Sequence, residues 1–133
     1  PLLDEIIHNE EQNLSKYVNN SIIKISQFLD IKTNFFLASD IDIDHKLRGQ
    51  ERILAFCKKM NNKEYINTIG GGKLYDRSVF EKEDILLNFI ISQNIEYKQF
   101  KEKFLPSLSI LDVLMFNSKA NCKKLLNMYY FKH

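Results

Sequence analysis

Apolar residues at positions 2, 3, 6 and 7 open the chain, so Leu2 to His8 has the pattern of the tail of an amphipathic helix. Asn13 can cap a second helix reaching to about Leu29, with Leu14, Tyr17, Val18, Ile22, Ile25, Phe28 and Leu29 on one stripe. Phe35-Phe36-Leu37-Ala38 is a short, continuous apolar run, which predicts a strand buried on both faces. Asp40 to Gly49 is polar and acidic, hence a loop, and helical spacing resumes from Gln50 to Met60 through Ile53, Leu54, Phe56 and Cys57. Tyr65 to Ile69 is rich in β-formers and stops at Gly70-Gly71-Gly72. Asp76 or Ser78 can cap a brief helix through Asp84, Ser78 forming a Ser-x-x-Glu box with Glu81. Leu86 to Ile91 predicts another strand and Glu96 to Gln99 an extended segment. An apolar helix is expected over Ser109 to Phe116, and a last one from Ser118 to about Tyr130.

The order strand, helix, strand, helix, strand predicts an α/β fold: a small, mainly parallel, three-stranded or larger sheet with flanking helices, βαβαβ-like, with right-handed crossovers. Phe35–Ala38, Tyr65–Thr68 and Leu86–Ile90 are its expected neighbouring strands. Three strands are few for a two-sided layer architecture, and Pro1 already lies inside a helical pattern. The expectation is therefore a single α/β segment over 1–133, belonging to a longer protein, that leaves an apolar surface uncovered or pairs it in a homo-oligomer.

Composition narrows the function classes. With 44% hydrophobic and 27% charged residues the chain reads as globular and not as a disordered segment. The net charge of +2 comes from 19 basic and 17 acidic residues mixed along the chain, without the one-sided basic footprint expected of a nucleic-acid binder. No apolar run approaches the ~18 residues needed to span a bilayer. Cys57 and Cys122 lie far apart on the apolar sides of helical patterns, which reads as two reduced thiols and a cytoplasmic location.

Two runs carry candidate chemistry. Glu64 to Asp76 (EYINTIGGGKLYD) places three glycines at the carboxyl end of an expected parallel strand, where open α/β sheets put their ligands. It is not a phosphate-binding P-loop, because Leu74 follows Lys73 and Asn67 stands at the first glycine; Tyr75 likewise breaks a GxGxxG reading. A tight turn requiring positive φ explains the glycines equally well. In Phe104 to Asn117 (FLPSLSILDVLMFN), Ser109 is a good N-cap and Asp112 sits among apolar residues, where a carboxylate needs partners. Asp112 is either the reciprocal partner of Ser109 in a capping box or a site carboxylate. His8, His45 and His133 fall in unrelated segments, and no Ser-His-Asp or Cys-His arrangement emerges. Asp40, Asp42, Asp44 and His45 lack EF-hand spacing and read as a solvated acidic loop, so neither metal nor cofactor is expected.

Taken together, EYINTIGGGKLYD, then IEYKQF, then FLPSLSILDVLMFN, preceded by the helix carrying Glu51-Arg52-Ile53-Leu54 and Cys57-Lys58-Lys59, resemble the C-terminal half of WbqC-like family proteins. The resemblance covers roughly residues 13 to 130. Family members usually carry a further N-terminal half with tryptophans and a Gln-Pro-x-Tyr-type opening, and this chain has neither. The resemblance implies bacterial surface polysaccharide (O-antigen or capsule) biosynthesis, with acyl or aminoacyl transfer to an amino sugar as the reaction. A non-catalytic binding or scaffold module in the same pathway is the alternative. It further implies a nucleotide-activated amino sugar or acyl donor as partner. The positions that match the family are Tyr65, Asn67, Gly70, Gly71, Tyr75, Asp76, Tyr97, Ser109, Asp112 and Asn117. Of these, Asp112 would serve as orienting acceptor or base, and Asn67 with the glycine amides as donors to a sugar or acyl oxygen. Asn67, Tyr75 and Asp112 are expected to converge near the glycines.

Overall fold

The runs after Lys63 and Ile85 do form strands, and they pair directly. In the computed structural model, which describes residues 2–100 and 103–132, β1 (Glu64–Thr68) lies parallel to β2 (Leu86–Ser92), with Glu64 opposite Leu86 and Thr68 opposite Ile90. Pro1 and His133 lie outside the described residues. Helices α1 (Leu2–Ile7), α2 (Leu14–Phe28), α3 (Gly49–Lys59), α4 (Arg77–Lys82), α5 (Ile110–Phe116) and α6 (Lys119–Leu126) complete a mixed α/β fold with a short strand, β3 (Tyr129–Lys132).

The sheet order is β1-β2-β3, and β3 runs antiparallel to β2, with Phe89 opposite Lys132 and Ser92 opposite Tyr129. Two expectations fall here. The sheet is not mainly parallel, since one pair is parallel and the other antiparallel. The last helix stops at Leu126, because Asn127 and Met128 close it through bonds to Lys124 O and Leu125 O, and Tyr129-Tyr130-Phe131 then follows its aromatic preference for a strand.

Phe35–Ala38 is also not a strand. Ala38–Asp40 forms a 3₁₀ turn, and Phe36 and Ala38 line a hollow of about 260 Å³ with Ile41, Phe56, Met60 and Tyr65. A four-residue apolar run is satisfied as well by lying over a helix as by pairing in a sheet, and periodicity cannot separate the two. Glu96–Gln99 forms neither helix nor sheet strand.

The helix ends follow their sequence. Asn13 Oδ1 accepts from Lys16 N and caps α2, while Asp76, not Ser78, caps α4 by accepting from Ser78 N and Oγ. Asp30, Asn61 and Asp84 each hold positive φ just past α2, α3 and α4, and the next amide returns to Ser26 O, Cys57 O and Phe80 O respectively. These are αL terminations that use Asp and Asn where glycine is commoner.

One face of the sheet carries the core. Leu87 and Phe89 point from β2 towards Leu54 and Cys57 of α3 and Phe80 of α4, with Ile85 beneath, and Phe80 is fully buried. Tyr65 stacks on Phe80 at 5.9 Å, and Tyr75 meets both rings edge-on. Elsewhere apolar surface stays open: on the α2 stripe Leu14 is 76% exposed, and Val18, Ile22 and Phe28 are exposed as well. Among the described residues no helix is long and apolar enough to cross a membrane.

Candidate functional site

Because β1 and β2 are parallel, their carboxyl ends open at one edge of the sheet; the glycine turn leaves β1 there, and Phe104 of the second run shares a cleft with Ser92 at the end of β2. The glycine run leaves β1 as a 3₁₀ turn, Ile69–Lys73, closed by Leu74 N to Gly71 O at 2.9 Å. None of its glycines has positive φ, which overturns the positive-φ reading of the turn. Only Gly71 is sterically required. It is buried, and a Cβ there would stand 2.7 Å from Asn67 Nδ2 and 3.2 Å from Tyr75 Cε2. Around Gly70 nothing lies within 4 Å of a built Cβ, and around Gly72 only the Phe89 ring does, at 4.0 Å.

Asn67 is held in place locally: its Oδ1 accepts from Thr68 N at 2.7 Å, and its amide packs against Gly71. Tyr65 and Tyr75 belong to the core cluster, half-buried, and burial together with the adjacent Tyr75 hydroxyl pushes the Tyr65 phenol well above its ordinary range. Asp76 is committed to its cap, and its amide donates to Gln50 Oε1 at 2.9 Å. Within this first group, Asn67, Gly71 and Tyr75 are in mutual contact through Gly71.

The second group follows β2. Asp112 does not reach back to Ser109, whose Oγ instead accepts from Leu111 N at 3.2 Å. The Asp112 carboxylate is turned towards the segment after β2, where Oδ2 accepts from Tyr97 OH at 2.6 Å and from Gln99 Nε2 at 2.9 Å. Gln99 also brackets the Leu105 backbone, accepting from its N–H at 2.8 Å and donating to its carbonyl at 3.2 Å. Burial and the hydrogen bond to Asp112 both raise the pKa of Tyr97, whose ring meets Phe104 edge-on at 5.2 Å.

Tyr97, Phe104, Ser107 and Val113 line a cleft of about 810 Å³, with Glu96 and Lys103 at its margin. Ser107 holds φ 60°, a left-handed conformation that costs a non-glycine residue about 1 kcal/mol or more. Asn117 ends α5, donates to Val113 O at 2.9 Å and accepts from Asn121. It therefore ties α5 to α6.

Among the described residues, no hydrogen bond or ring contact joins the two groups; what they share is the sheet edge from which they spring. Gln99 is the residue sequence reasoning missed. Its signal was the expected extended segment itself, in which positions 97 and 99 share one side. Both thiols are free, buried and raised in pKa by burial, so neither has the character of a nucleophile. In the acidic loop Asp42 pairs with Lys59 at 2.8 Å, and its pKa is lowered by that bond. Among the described residues no group of three or more His, Cys, Asp or Glu is arranged to hold a metal ion.

The sequence model of the WbqC-like protein family matches residues 1–124. The chain belongs to the WbqC-like family. No curated protein and no solved structure matches it. In this WbqC-like protein the matched stretch takes in both groups: the strand and glycine turn with Asn67 and Tyr75, and the Tyr97–Gln99–Asp112 arrangement.

Proposed function

We propose that this WbqC-like protein acts in the biosynthesis of bacterial surface polysaccharide, O-antigen or capsule, by binding a nucleotide-activated amino sugar at the carboxyl edge of β1 and β2. The observation that carries the reading is the half-buried Asp112 carboxylate, oriented by two donors on one oxygen beside a cleft of small-ligand size. A fixed carboxylate of this kind suits a sugar ammonium, or takes its proton as general base. In acyl or aminoacyl transfer the sugar nitrogen bonds to the acyl carbon and gives a proton to Asp112. The bond from acyl carbon to the donor's leaving group breaks, and that group departs with the proton. Asn67 and the Gly70–Gly71 backbone supply donors to a sugar or acyl oxygen in this reading. Tyr75, Asp76, Ser109 and Asn117 act by shaping the turn and the helix ends.

The second reading, a binding module without catalysis, draws on the two buried thiols and on the surface positions of His8 and His45, so that among the described residues no His or Cys stands beside Asp112. One comparison by calorimetry separates both from a purely structural Asp112. A nucleotide-diphosphate sugar with a free amine should bind about tenfold tighter than its N-acetyl form, a difference of ~1.4 kcal/mol. Asp112→Asn, with an unchanged melting curve, should remove that preference. Equal binding of both sugars by the unaltered protein, or retention of the preference in the variant, would overturn the proposal.

A further inference from the structure

Three cations from three different elements meet over one small concavity. Lys73 closes the glycine turn, Arg77 opens α4 and Lys132 lies on β3 opposite Phe89; with Ile69, Gly72 and Phe89 they line a hollow of about 330 Å³. Among the described residues no acidic side chain lines it. Six other lysines, Lys24, Lys58, Lys59, Lys63, Lys119 and Lys123, each sit within 3.3 Å of a carboxylate; what sets Lys73, Arg77 and Lys132 apart from the remaining cations is that they line one hollow. Among the described residues Lys73, Arg77 and Lys132 have no such partner, and the nearby Asp76 turns its Oδ1 to the cap, accepting from Ser78 N and Oγ. Like charges around one hollow repel, and an anion relieves that repulsion.

The glycines point the same way independently. Gly70 and Gly72 are exposed, neither has positive φ, and neither has a neighbour that a methyl group would strike. The fold therefore does not require glycine at either place, although glycine in a helical turn costs roughly 0.5–1 kcal/mol relative to alanine. A bare backbone there leaves room for something the chain itself does not supply.

We infer that Lys73, Arg77 and Lys132, above Phe89 and beside the backbone of Gly72, form a binding site for the phosphate or diphosphate group of a small molecule. The guanidinium offers a planar two-pronged donor, and the two ammonium groups supply point charge. The site deepens the sugar-nucleotide reading by naming the group that would be seized, and to that extent rests on it; inorganic pyrophosphate tests it separately.

Titration calorimetry at low salt with pyrophosphate should give a one-to-one complex that weakens as salt rises. Arg77→Gln and Lys132→Gln should each weaken it at least tenfold. Lys16→Gln, which removes the same charge from α2, should leave it unchanged. Gly72→Ala, whose methyl group meets only the Phe89 ring at 4.0 Å, should weaken binding while the melting temperature holds or rises. Absence of pyrophosphate binding, or equal losses in Lys16→Gln and Arg77→Gln, would overturn the site. Pyrophosphate binding without any binding of the nucleotide-diphosphate amino sugar would keep this site and remove the sugar-nucleotide reading.

Discussion

Phe80→Ala is expected to cost about 3–5 kcal/mol of stability, the largest effect of any single truncation proposed for this chain. Phe80 is fully buried, stacked on Tyr65 and met edge-on by Tyr75, at the centre of the cluster that joins α3 and α4 to β2. Its removal leaves a cavity that two tyrosines held by the β1 strand and the glycine turn cannot collapse into. Domains of this size hold only about 5–15 kcal/mol, so the variant should be largely unfolded at moderate urea. Leu14→Ala makes the control, because Leu14 is 76% exposed and its truncation should shift stability by no more than ~0.5 kcal/mol. Urea denaturation of the pair measures the difference, and a Phe80→Ala cost below about 1.5 kcal/mol would mean that the core lies elsewhere.

Gly71→Ala is expected to cost about 1–3 kcal/mol, for a steric and not a conformational reason. Its φ is not positive, so alanine meets no backbone penalty; the added methyl instead lands 2.7 Å from Asn67 Nδ2 and 3.2 Å from both Asn67 Cγ and the Tyr75 ring. Asn67 cannot swing aside freely while its Oδ1 holds Thr68 N. In an Asn67→Ala background most of that clash is gone, and the cost of Gly71→Ala should fall by about 1 kcal/mol. Gly70→Ala, with open space around it, should show no such cost. Additive losses in the double variant would contradict a packed Asn67–Gly71 pair.

The contrast among the three glycines marks how far the sequence could be read. The strands at Tyr65 and Leu86, the caps at Asn13, Asp76 and Ser109, and the helix from Gln50 were legible because each rests on local spacing and short-range hydrogen bonds. The Phe35 run and the Tyr129 strand were not, since both depend on what the rest of the chain offers as a partner: a helix surface for Phe36, and the open edge of β2 for Tyr130. An aromatic run directly after a helical pattern looks like more helix until a sheet edge competes for it. The same limit applies to the site. Asp112 stood out as a carboxylate in need of partners, but Tyr97 and Gln99 reach it across the Pro106–Ser107 bend, which no spacing rule connects. Lys132 was hidden for a related reason, because a last helix running to about Tyr130 leaves no strand to place it opposite Phe89.

The most direct test of the carboxyl-edge site is a titration of the isotopically labelled protein with a nucleotide-diphosphate amino sugar, followed by amide chemical shifts. The expected result is a saturable set of changes at Asn67, Gly70 and Gly72 and at Tyr97, Gln99 and Asp112 together, with α1 and α2 unmoved. Changes confined to α1 and α2, or to only one of the two groups, would contradict a single ligand site at the carboxyl ends of β1 and β2.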